Sequence, residues 1–260
     1  MAIRIDRSED GTFWLVIHSG SRNLGKQVCE YYQQLAMDVA EGKEEYLTEA
    51  PKLIARMRAE GRHKEIQKEL TLLRINLNHK MAPDSLCHLE GQHLEDYLHD
   101  VKICQEFAVR NREIMTALIL KKTGMVGLES FHTIHNYIDS DEMILRKGAI
   151  AAHKGERVLI PINMRDGSII AIGRGNEEWN YSAPHGAGRL MSRKEARDTL
   201  SLQEYQESMK GIYTTTASMD TIDEAPMAYK RMEDIIDVIR ESVDIVEIIK
   251  PVYNFKAPEK

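Results

Sequence analysis

No stretch of the 260 residues carries the roughly 18 consecutive apolar side chains that a membrane-crossing helix needs. The opening MAIRIDRSED also lacks the apolar centre of a secretory signal, so a cytoplasmic location is the default expectation. Cysteine is scarce. Cys29, Cys87 and Cys104 are odd in number, widely spaced and without a Cys-x-x-Cys pair, which argues against a disulfide framework or a zinc knuckle and for reduced thiols. A surplus of positive charge is missing too: 35 Lys and Arg against 41 Asp and Glu leave a net charge of −6. That balance argues against a protein that coats nucleic acid nonspecifically, while a single basic cleft stays open. There is no internal repeat and no Pro/Gly/Ser-rich linker, so one mixed domain over residues 1–260 is expected.

What is present is an ordinary globular composition, 42% apolar, enough for one large core or two modest ones. The 13 Met are scattered through apolar positions, where they fill gaps in a core. Residues 12–17 (TFWLVI) read as a short strand feeding the loop His18-Ser19-Gly20-Ser21. Beyond it Leu24, Val28, Tyr31, Tyr32, Leu35 and Val39 recur at helical spacing. Residues 41–84, rich in Glu, Lys and Arg, predict one or two surface helices, and residues 91–122 predict a long amphipathic helix stopped at Gly124. After Gly127 short strand-like runs follow at 132–137, 144–150, 157–162 and 168–173. Helical signals return at 192–200, 202–209 and 232–240, and the chain closes on the strand-like VDIVEIIKPVYNF. The expected class is α+β, a helical segment over about 22–122 and a β-rich segment over about 127–260.

Three loops set a histidine beside glycines or small polar residues, where catalytic groups concentrate. They are HSGSR with His18, HTIHNY with His132 and His135, and PHGAGR with His185. In the last, Gly186 and Gly188 leave backbone N–H groups unshielded toward an anion, while Arg189 and Arg193 add positive charge. That pattern describes a phosphate site with a nucleophile at its lip, since a neutral imidazole attacks a nucleoside triphosphate at phosphorus. The plainer reading is a Gly-rich turn ahead of the helix at Ser192. His18 and His135 sit at or beside strand ends and can join a transition-metal site if further ligands complete it. His132 falls on the opposite strand face from His135 and reads as packed or surface. His63, His79, His88, His93, His99 and His153 stand in charged or helical stretches without a ligand partner at suitable spacing, and read as solvated surface.

HSGSR (His18 to Arg22), HNY (His135 to Tyr137), RKGA (Arg146 to Ala149), GN (Gly175, Asn176), HGAGRLMSR (His185 to Arg193) and APMAYK (Ala225 to Lys230) together resemble the RtcB family of RNA ligases in order and approximate spacing. The stretch DYLHDVKICQEFAVRNREIM is similar to that family's long helix, so the resemblance covers nearly the whole chain. It implies an RtcB-like fold with a β-rich catalytic core flanked by long helices. It also implies an activity, joining RNA 2′,3′-cyclic phosphate or 3′-phosphate ends to 5′-hydroxyl ends with GTP and Mn2+, in tRNA splicing or RNA repair. By the same resemblance His185 is the nucleophile that takes GMP, and His18 and His135 are manganese ligands. Asn136, Pro161, Ile162, Asn163, Met164, Ser168, Gly186, Ala187, Gly188, Tyr229 and Lys256 become nucleotide-binding positions. Arg22, Arg189 and Arg193 become the cations for the RNA phosphate or the triphosphate, a role that suits the bidentate guanidinium.

The chain departs from the family pattern twice. Residues 161–164 read Pro-Ile-Asn-Met where many members have Pro-Gly-Ser-Met, so backbone rather than side-chain contacts to a nucleotide are expected there. The family's Asp-x-Gly-Cys and Gly-Asn-His segments do not occur in this sequence, which therefore corresponds to the C-terminal portion of a typical member. Two imidazoles without a carboxylate or thiolate should hold Mn2+ weakly, and little or no ligase activity is expected of this chain alone. Strand edges and apolar surface left bare by the missing N-terminal half imply self-association or pairing with that half. The alternative is a catalytically impaired remnant that binds RNA, nucleotide or a partner.

Overall fold

Residues 2–7 (AIRIDR) form a strand, β1 (Ala2–Arg7), that the apolar pattern does not reveal, because its buried positions are the charged Arg4 and Asp6. The computed structural model describes every residue except 81–82, 128 and 258–260, and the chain forms two compact units. One unit combines Met1–Gly20 with Ala108–Lys260, and the other is Ser21–Phe107.

In the first unit β1 pairs antiparallel with β2 (Phe13–His18) on one side and with the long terminal strand β9 (Val243–Lys256) on the other. β9 continues onto β6 (Gly167–Gly173), which pairs with β5 (Arg157–Asn163), giving the order β2-β1-β9-β6-β5. Register shifts between Ile5 and Asp6 and between Ile170 and Ala171 let the 14 residues of β9 serve both partners in turn. A two-residue strand, β8 (Tyr213–Thr214), joins β9 in parallel. A second, antiparallel sheet holds β3 (His135–Asp139), β4 (Ile144–Ala151) and β7 (Ser182–Pro184) in the order β3-β4-β7.

The main core lies where these sheets meet α7 (Met232–Ile239), with Ile150, Val158, Ile160, Ile169, Ile235 and Ile239 buried together. Ile235 and Ile239 are one helical turn apart, which turns both toward the sheet. A smaller core gathers Met164, Tyr205, Met209, Ile222 and Ala225 around α6 (Leu202–Ser208). Next to it α5 (Arg193–Thr199) starts at Ser192, which forms a capping box with Glu195 and so closes the glycine-rich segment before it.

The second unit consists of α1 (Arg22–Ala40), α2 (Lys43–Ala59), α3 (Ile66–Leu77) and the first part of α4 (Gly91–Thr123). The amphipathic spacings place these helices where they form. α4 ends as expected at Gly124, whose φ of +72 accommodates the left-handed terminus. The class is α+β with antiparallel sheets. Among the described residues no helix is long and apolar enough to cross a membrane, and the three cysteines are free thiols.

Candidate active site

Three histidines from separate elements of the first unit converge. His18 is the last residue of β2, His135 is the first of β3, and His185 directly follows β7. The Nε2 atoms of His18 and His135 are 3.0 Å apart, a hydrogen bond in which one neutral ring donates and the other accepts. The His135 and His185 rings stack with centroids 5.0 Å apart and planes 22° from parallel. His132 precedes β3 in a loop and is not part of this group.

The backbone explains the convergence. Asn136 takes a φ of +53, and its Oδ1 accepts a 2.6 Å hydrogen bond from Gly148 N–H on β4. The Gly148 carbonyl in turn accepts from His185 N–H at 3.2 Å, so β3, β4 and the His185 loop are tied through one residue. Gly148 has a φ of +71, and a Cβ there would lie 3.8 Å from His185 Nδ1. The loop is then fixed to β5, where Ala187 N–H donates to the Pro161 carbonyl at 3.2 Å. A Cβ on Gly186 would come within 2.9 Å of that same oxygen, so glycine is required for the close approach. On the other side Ser19 is gripped by α4: Asn111 Nδ2 donates to its Oγ at 3.1 Å and an Arg112 guanidinium nitrogen to its carbonyl at 3.0 Å.

Electrostatically the centre disfavours extra protons. Desolvation, then His135, Lys256 and Arg4, push the His18 pKa down to about 4. Burial, then His185 and Arg112, lowers that of His135. Both rings are therefore neutral near pH 7, with lone pairs available for a ligand or proton.

The other expected positions separate into groups. Ile162, Asn163 and Met164 are buried, and the Asn163 side chain shapes the β5–β6 turn by accepting from Arg165 and Asp166 N–H and donating to the Asp166 carboxylate. Ser168 accepts from Arg4, which also donates to the Asn163 and Gly167 carbonyls. Lys256 pairs with Glu224 at 3.3 Å, and Tyr229 donates to the same carboxylate at 2.6 Å. Arg189 donates to Met191 O, Tyr229 Oη and Asp223 O, which ties the segment after Gly188 to its neighbours. Arg193 is half exposed, with Asp223 and Glu224 at 3.9 and 3.8 Å. Arg22 opens α1 with a φ of +55 and belongs to the other unit.

Sequence reasoning missed Arg4, Arg112 and the Asp223–Glu224 pair, and it gave Gly148, inside the RKGA motif, no role of its own. Charged residues on the inward side of β1 and in the amphipathic α4 were the available signal. It also took His153 as solvated surface; the structure corrects this, because sheet pairing brings His153 to 3.4 Å from Glu142 and stacks it on Tyr181. Asp139, Glu142 and His153 form the one His/Cys/Asp/Glu cluster of three, among the described residues, whose ligand atoms lie within metal-binding range. Its charge is already balanced by the buried Arg146, 3.0 Å from Asp139 and 3.3 Å from Glu142. The donor set at the histidine centre is different. It offers two facing imidazole nitrogens and, among the described residues, no third ligand in range, a poor match for Mn2+, which prefers oxygen donors.

Residues 2–257 match the family described as tRNA-splicing ligase RtcB. RNA-splicing ligase RtcB of Escherichia coli (strain K12) is 31% identical over 265 residues, which cover 95% of this chain and 56% of that protein. The tRNA-splicing ligases RtcB of Aeropyrum pernix and Archaeoglobus fulgidus are 28% and 29% identical, covering 88% and 90% of this chain and 48% and 50% of their own length. The chain thus spans about half the length of the curated relatives it matches. With a match from residue 2 to 257 that includes all three converging histidines, the chain belongs to the RtcB family.

Proposed function

We propose that this chain carries the nucleotide-binding, nucleophile-bearing part of a GTP-dependent RNA ligase that joins 2′,3′-cyclic phosphate or 3′-phosphate ends to 5′-hydroxyl ends, in tRNA splicing or RNA repair. The observation that carries the reading is the placement of His185, stacked on His135 and held by the Gly148 carbonyl, on a glycine loop fixed to Pro161. The His185 imidazole attacks the α-phosphorus of GTP; the N–P bond forms as the bond to pyrophosphate breaks. An oxygen of the RNA 3′-phosphate then takes the guanylyl group, which frees His185 and converts a poor electrophile into an activated end. The 5′-hydroxyl attacks that 3′-phosphorus, loses its proton to solvent or base, and GMP departs. The Gly186 and Gly188 backbone and half-exposed Arg193 lie where the phosphates would rest, and Pro161, Ile162, Asn163, Met164, Ser168, Tyr229 and Lys256 surround the nucleotide. Arg189, with its donors committed internally, holds the loop. The RtcB reading includes Mn2+, but two imidazoles alone do not fit it, and no step is assigned to it.

Incubation with GTP labelled at the α-phosphate, with Mn2+ present, tests this. An acid-labile covalent adduct that disappears in His185→Ala is expected. Labelling undiminished in His185→Ala would overturn the reading. The incomplete donor set favours a second outcome in parallel: joining of 3′-phosphate RNA by this chain alone stays near background. Efficient joining would show that the two-histidine pair suffices.

A further inference from the structure

Glu224 has no part in the reaction set out above, yet three of the residues assigned to the nucleotide and its phosphates meet on its carboxylate. It ends the 3-10 turn Met219–Glu224, and its side chain is only 12% exposed, so its charge needs partners. Its Oε2 accepts from the Tyr229 hydroxyl at 2.6 Å and lies 3.3 Å from the Lys256 ammonium, while its Oε1 lies 3.8 Å from the Arg193 guanidinium. Burial pushes the carboxyl upward, but Lys256, the Tyr229 hydroxyl and Arg193 outweigh it and hold it below its usual value, so it is ionised at neutral pH. The Tyr229 oxygen also accepts from Arg189 at 3.2 Å, so the phenol proton is committed to Glu224 and the ring is fixed at its polar end. Next to that ring the chain runs beside the loop that follows His185: Lys230 N–H donates to the Gly188 carbonyl at 3.1 Å and Leu190 N–H to the Ala228 carbonyl at 2.8 Å. Lys256 is the last residue of β9, Tyr229 stands ahead of α7 and Arg193 opens α5, so one carboxylate joins three separate elements. A lysine side chain fixed before a ligand arrives does not pay its rotamer entropy on binding, and an ammonium with one donor on Glu224 keeps two for a ligand.

We propose that Glu224 is a positioning residue of the nucleotide pocket, whose carboxylate holds the Lys256 ammonium and the Tyr229 ring in place for a guanine nucleotide and acts on the nucleotide through them. The inference rests on the reading of Lys256 and Tyr229 as nucleotide-binding residues and adds the group that organises them.

Titration calorimetry with GMP provides the test, on the full chain and on Glu224→Gln, Glu224→Asp and Glu207→Gln. Glu207 is the control, an exposed acid on α6 paired with Lys210. Loss of the charged grip should weaken GMP binding in Glu224→Gln by about tenfold. Glu224→Asp, which keeps the charge on a shorter arm, should lie between it and the parent, and Glu207→Gln should match the parent. Parental affinity in Glu224→Gln overturns the proposal. If Glu224→Gln fails to fold, Glu224→Asp carries the comparison, and parental affinity there overturns it. A residue that acts through Lys256 loses most of its effect once Lys256 is gone, so in a Lys256→Met background Glu224→Gln should cost less than about a further threefold. A full second tenfold loss there would show that Glu224 acts independently and would overturn the positioning role. In labelling with GTP, Glu224→Gln should raise KM while the rate at saturating GTP stays within about threefold of the parent; a fall in that rate at unchanged KM contradicts the proposal. Absence of GMP binding by the parent overturns the nucleotide-pocket reading and this inference with it, whereas binding by the parent that does not respond to Glu224 overturns this inference alone.

Discussion

Asp6 shows how much a single buried charge can govern. Its side chain is fully buried on β1, and although Arg4 lies 2.9 Å away, burial raises its carboxyl to about 6. A carboxyl whose pKa is higher folded than unfolded binds protons preferentially in the folded state. Its stabilising contribution is complete below the unfolded value, near 4, and is lost as pH rises through about 6. The depressed His18 and His135 add stability over the same range, so denaturant unfolding from pH 4 to 7 should show stability rising more steeply with pH in Asp6→Asn than in the parent; parallel profiles would contradict the account. At this scale the sequence was informative only where chemistry sits in a loop. His18, His135 and His185 stand out because glycine, serine or asparagine flanks them. Arg4 and Arg112 do not, because which face of a strand or helix turns inward is decided by distant partners, Ser168 and Asn163 for one and Ser19 for the other.

Elements with strong periodicity were legible to within a few residues, as α1, α4, β5 and β9 illustrate. Their apolar faces carry enough residues to specify the period without tertiary help. β1, β7 and β8 were not, for separate reasons. β1 buries charges, β7 has three residues and β8 two, too few for alternation to register. The double role of β9 was hidden as well, since bulges leave the apolar run continuous while its partner changes from β6 to β1. Ile160 on β5 is fully buried within the main core, on the strand that anchors the His185 loop through Pro161. Ile160→Ala should cost about 2–5 kcal/mol by urea denaturation, since the cavity cannot fully collapse. A loss well under about 1 kcal/mol would mean that β5 is less tightly packed than described.

At the scale of the whole chain, both buried apolar clusters found among the described residues belong to the first unit. The helical unit buries few side chains, chiefly Tyr32, Ala36, Ala50, Met57 and Cys104. Hydrogen exchange should therefore be faster in α1, α2 and α3 than in β5 and β6, because local opening there exposes less apolar surface. Uniform protection across the two units would argue for a single cooperative core. Family membership and the histidine centre could be read from motifs, and the helical segment expected from about residue 22 begins where the second unit does, whereas the end of that unit at Phe107 falls inside the continuous helix α4 and leaves no mark in the sequence. The central claim is that His185, and no other side chain, is the nucleophile. Tandem mass spectrometry of the GTP-treated chain, under conditions that preserve phosphoramidates, tests it most directly. The account predicts a guanylyl group on the imidazole of His185; a guanylyl group on Lys256, Lys230 or another histidine, with His185 unmodified, would contradict it.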